Sequence, residues 1–140
     1  MANDHTRSAH AGPLDPSLSD NDLAQLARSE EATVRAGAAA HPNTPMTIIL
    51  QLARDVAPAV RAGVARNPRI GIPEELLLQL ATDNAPEVVF ALIANQSVAD
   101  SVVARAARSK HKDAAGAAKA RMSKSGARTG FLGSFAGFRN

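Results

Sequence analysis

The chain has no cysteine, no tryptophan and no tyrosine among its 140 residues. Without cysteine it can form no disulfide, no thiolate zinc site and no cysteine-ligated iron–sulfur cluster. Its four Phe are its only aromatics, which suits it poorly to base stacking or sugar binding, since both rely on aromatic faces. Long apolar runs are missing as well. Runs such as Leu76 to Leu78 fall far short of a membrane span, and Met1 to Gly12 is polar. Neither a membrane span nor a signal peptide is predicted, and a cytoplasmic protein is the simplest reading. Lysine is absent from the first 109 residues.

The charge is unevenly placed. Residues 1–104 carry seven Arg against twelve acids, a net −5, while residues 105–140 carry nine Lys or Arg against the single acid Asp113, a net +8. An acidic body with a basic end points to an acidic partner, or to the two halves attracting each other.

The body repeats itself. Ala24-Gln25-Leu26-Ala27-Arg28, Leu50-Gln51-Leu52-Ala53-Arg54 and Leu78-Gln79-Leu80-Ala81-Thr82 align. So do the segments around Val34-Arg35-Ala36-Gly37, Val60-Arg61-Ala62-Gly63 and Val88-Val89-Phe90-Ala91. The period is 26 residues, then 28, the difference lying in the loop Arg69-Ile70-Gly71-Ile72. A fourth, degenerate start runs from Ala99 to Arg108.

Each unit reads as two short helices. Ile49, Leu52 and Ala53, and again Leu77, Leu80 and Ala81, form the i, i+3, i+4 stripe of a helix burying one face. Proline at 45 and 73 marks helix starts, with Thr44 in N-cap position, and Ser19 with Asp22 resembles a capping box. Asp55 and Asp83 precede the second helix, which carries Pro58 or Pro86 in its first turn. That helix ends at His41, Asn67 or Asn95, read as terminators that tolerate a left-handed turn. Helices this short require stacking to persist.

These patterns predict an all-α fold: a short right-handed α-solenoid of about three and a half two-helix repeats, with disordered N- and C-terminal tails. The expected divisions are a tail over 1–17, a repeat domain over 18–109 and a basic tail over 110–140. The repeats fall at about 19–44, 45–72 and 73–98, with a capping half-repeat at 99–108.

An Asp followed six residues later by an Arg after Val (Asp55 with Val60-Arg61), a helix ending in Asn67-Pro68, then Pro73 and a Leu-rich helix resemble the leucine-rich repeat variant family and the wider HEAT-like α-solenoids. The resemblance covers about 18–98 and implies architecture; such repeats serve many unrelated roles. The iron–sulfur cluster that some variant-repeat proteins carry is not implied, because this chain lacks cysteine. Ser29 replaces Asp in the first copy and Val89 replaces Arg in the third. This predicts a two-rung ladder between repeats, Arg35 to Asp55 and Arg61 to Asp83, with Ser29 and Val89 at positions that have no neighbour to serve.

No catalytic, cofactor-binding or metal-ligating set emerges. His5, His10, His41 and His111 have no metal spacing, and the acids cluster at helix N-termini, where the helix dipole favours them. Phe90, the one aromatic of the body, reads as a plug on the last full repeat or as an exposed anchor. The candidate partner-binding residues lie at the C-terminal end: Lys110, Lys112, Lys119, Arg121, Lys124 and Arg128, with Phe131, Phe135 and Phe138 at i, i+4 and i+7. The expected function is a non-enzymatic protein-interaction or scaffold module that uses the repeat surface and this basic tail. The alternative is a nucleic-acid-associated protein whose tail contacts phosphate without regard to sequence.

Overall fold

Four times along the chain a seven-residue helix is followed, after a tight turn, by a second helix. The computed structural model describes residues 14–138, with side chains through 125. The first helices are α1 (Asp20–Leu26), α3 (Met46–Leu52), α5 (Glu74–Leu80) and α7 (Asp100–Ala106). The second helices are α2 (Ala32–Ala40), α4 (Pro58–Ala65), α6 (Pro86–Ala94) and α8 (Lys112–Phe138).

The turn inside each pair is built one way throughout. Ser29, Asp55, Asp83 and Ser109 each use a side-chain oxygen to accept the backbone N–H two residues on, at 2.8–3.1 Å. This fixes the reversal before the second helix starts. Pro58 and Pro86 sit in the first turn of α4 and α6, where a missing N–H costs nothing. At the first helices, Ser19 and Asp22 form the full capping box. Thr44 does not cap α3. Pro45 is its N-cap, and the buried Thr44 hydroxyl instead donates back to the carbonyl of Ala38.

The second helices stack in a row, α2 on α4 on α6 on α8, with the first helices packed alongside. Register makes the core. Val34, Val60, Val88 and Ala114 are equivalent and at most 1% exposed, and Leu23, Ile49, Leu77 and Val103 form the matching row on the first helices. Burying one such valine or leucine side chain contributes about 1.5–3 kcal/mol. Two helix backbones come close at Gly63, where a Cβ would fall 2.6 Å from the Ala36 carbonyl oxygen. Only glycine fits there.

Both ends of the repeat array differ from the sequence expectation. Residues 110–140 were expected to be a tail after a half-repeat. Instead α7 and α8 form a complete fourth pair, with Ala114, Ala115 and Ala118 buried. Little apolar surface is needed because alanine lets the helices come close. At the other end, Leu14 to Pro16, inside the expected tail over 1–17, pack on the array. The Leu14 side chain lies over Gly37, and the carbonyls of Asp15 and Pro16 accept from His41 and Asn43.

Candidate interaction surfaces

The polar side chains at the joints between repeats fall into two rows. In the first, Arg35 Nε and Nη2 donate to the Asp55 carboxylate at 2.8 and 3.0 Å, and Arg61 repeats the same fork on Asp83 at 2.8 and 3.0 Å. The remaining Nη1 of Arg35 donates to the carbonyls of Ser29 and Glu30, and that of Arg61 to Asp55 and Val56. Each guanidinium thus ties its own intra-repeat turn to the next repeat, a bidentate geometry that lysine could not supply.

The Arg35 hydrogen bond, aided by the Ala57 N–H, holds the Asp55 carboxyl below its usual value against the effect of burial. Burial pushes Asp83 upward, but Arg61 and the Ala85 N–H outweigh it and leave its pKa lowered. Val89 does have a neighbouring repeat, contrary to expectation. The residue in the Asp register there is Ser109, so cation and anion are lost together. The Asp83 carbonyl is met instead by His111 Nε2 at 3.2 Å.

The second row was not anticipated. Asn67 Nδ2 donates to the carbonyls of Ala39 and His41, 2.8 and 2.9 Å, and Asn95 Nδ2 donates to Ala65 and Asn67, both at 2.9 Å. Arg121 Nη1 donates to Ile93 and Asn95, and His41 Nε2 meets the Asp15 carbonyl at 2.9 Å. Asn67, Asn95 and Arg121 each close the end of the preceding second helix, whose last carbonyls have no partner within their own helix, and His41 makes the equivalent bond to the segment before α1. On the other side Asn67, Asn95 and His41 accept the N–H two residues on. His41 and Asn95 are therefore not left-handed terminators; their φ values are −74° and −80°. The signal was in the sequence, as His41, Asn67, Asn95 and Arg121 at the repeat spacing, but the spacing does not show which carbonyls they reach.

The expected contact residues divide accordingly. Arg121 is half-buried and committed to backbone carbonyls, so it is structural. Lys110, Lys112, Lys119 and Lys124 are exposed, Lys110 reaching Asn84 Oδ1 at 2.7 Å. Arg105 and Arg108 are exposed beside them. Lys119 occupies the register at which Ala39, Ala65 and Ile93 are buried, and is itself exposed. The side chains of Arg128, Phe131, Phe135 and Phe138 lie outside the described residues.

Phe90 does not plug the stack. It is 41% exposed, in the row otherwise made of Ala36, Ala62 and Gly116. A cleft of about 50 Å³ lined by residues including Asn67, Arg69, Gly71, Ile72, Asn95 and Ser97 lies beside the asparagine row. It is room for a few waters, well short of a metabolite site. Among the described residues no cluster of three His, Asp or Glu is placed to hold a metal, and no helix is long and apolar enough to cross a membrane.

The fold and these surfaces define an all-α array of four helical pairs. No family model, curated protein or solved structure matches the chain.

Proposed function

We propose that this chain is a non-enzymatic interaction module that holds a protein partner on its repeat surface, with the basic fourth repeat as a second contact. We place it, by pattern, near the leucine-rich repeat variant and HEAT-like α-solenoids, and in the cytoplasm. The observation that carries the reading is Phe90, a large ring left 41% in water on a row of alanine and glycine. A stacked-helix core has no use for it there, whereas exposed aromatics are the residues from which interfaces draw most of their energy. The arginine and asparagine rows are spent on holding repeats together, whereas this ring and the lysines face outward, as do Val56 and Ile70.

The test compares capture from native lysate by the full chain, Phe90→Ala and the triple variant Lys112→Glu/Lys119→Glu/Lys124→Glu. Loss of the same proteins in Phe90→Ala, with nuclease present, supports the reading; identical capture by all three chains removes it. The exposed cluster Arg105, Arg108, Lys110, Lys112, Lys119 and Lys124 favours a second reading, a sequence-blind contact to nucleic-acid phosphate. That reading predicts binding that falls steeply with salt, disappears in the triple variant and is indifferent to Phe90.

A further inference from the structure

Three differences converge on the joint between the third and fourth repeats. The first is the missing rung: Val89 and Ser109 stand where Arg35 with Asp55, and Arg61 with Asp83, bind the other two joints. The second is side-chain volume. Where α4 brings Val60 and Val64 to the stack and α6 brings Val88 and Leu92, α8 brings Ala114 and Ala118. The third is extent: α8 meets α6 over a shorter stretch than α6 meets α4 or α4 meets α2. Besides the apolar packing of α7 on α5 and α6, what spans the joint is polar, through Arg121, His111 and the exposed Lys110–Asn84 bond. Within the fourth repeat the balance is reversed, since α7 and α8 pack on each other more extensively than the two helices of any other pair.

In a stacked array, stability is close to a sum over repeats and their neighbouring interfaces, so a weak joint next to a cohesive unit opens first. We infer that the fourth repeat, α7 together with α8, is a separately opening leaf that swings off α6 while the first three repeats stay folded. Opening uncovers Val89 and Ile93, now 0% and 7% exposed, which share one face of α6 next to the already exposed Phe90. The leaf therefore sets how much apolar surface α6 presents. Its regulatory use rests on the Phe90 reading above; the opening itself does not, and it is measured without any partner.

The experiment is native-state hydrogen exchange on the full chain, followed at the central amides of α8 (115–119) and of α7, away from fraying helix ends. The expected result is that these exchange together and at least about tenfold faster than the central amides of α4 and α6. Equal protection of α4, α6 and α8 overturns the proposal. A second arm restores the rung with Val89→Arg/Ser109→Asp. The double variant is expected to slow exchange in α7 and α8 by about fivefold, with neither single change doing so. If the double variant folds and slows exchange no more than its parts, the missing rung is not the hinge and the assignment fails. Should it not fold, the wild-type comparison alone decides.

Discussion

Replacing Asn67 by alanine tests whether the asparagine row carries the stack. Asn67 is 1% exposed; its Nδ2 serves the carbonyls of Ala39 and His41, and its Oδ1 accepts from the Arg69 N–H at 2.8 Å. Truncation strips a partner from three backbone groups at once. A buried group left without its hydrogen bond costs about 1–3 kcal/mol. Water entering from the adjacent cleft can recover part of this, so the net expectation is a loss of roughly 3–5 kcal/mol. That is a large share of the roughly 5–15 kcal/mol that holds a domain of this kind. With an m-value of about 1.5 kcal/mol/M, the urea midpoint read by circular dichroism at 222 nm drops by about 2 M or more. His41→Asn is the control. Asparagine is what two other joints use in that register, and a change within about 0.5 kcal/mol is expected. A loss below about 1 kcal/mol for Asn67→Ala at unchanged m, or a His41→Asn variant as damaged as Asn67→Ala, would refute the reasoning.

Gly63→Ala and Gly116→Ala are the same change in two surroundings. The new methyl at Gly63 meets the Ala36 carbonyl oxygen at 2.6 Å and the Ala39 Cβ at 2.9 Å, so overpacking of about 1–3 kcal/mol outweighs the helix-propensity gain and the melting temperature falls. At Gly116 nothing lies within 4 Å, so only the gain of roughly 1 kcal/mol remains and the melting temperature rises. Stability should also depend on pH through Asp55 and Asp83. Both carboxyls are lowered in the folded state, so their contribution is full above the unfolded value near ~3.9 and is lost as pH falls through the folded values. Urea titrations at pH 5 and pH 3 check this, and Asp55→Asn/Asp83→Asn should flatten the difference. A double-mutant cycle on Arg61 and Asp83 is expected to return a coupling of about 1 kcal/mol or a little more, since the pair is bidentate and largely shielded from water.

The local chemistry of this chain is written in its residues. The apolar stripes of α3 and α5, the Ser19–Asp22 capping box and the prolines opening α4 and α6 each act within one or two helical turns, so periodicity and propensity reveal them. The Arg35–Asp55 and Arg61–Asp83 pairs were legible for a different reason. A two-helix repeat brings equivalent positions side by side, and opposite charges in adjacent copies name their own partners. Asparagine and histidine do not, because their partners are backbone carbonyls that every residue carries. That Asn67, Asn95 and Arg121 close the preceding helix, and that His41 reaches the Asp15 carbonyl, was decided only when the helices were stacked. The same holds for α8, whose Ala114 and Ala118 look too small to bury until a neighbouring helix is close enough for alanine to fill the gap. Phe90 makes the point in reverse: as a residue it belongs in a core, and only its place on α6 leaves it 41% exposed, although Ala62 in the same register is buried.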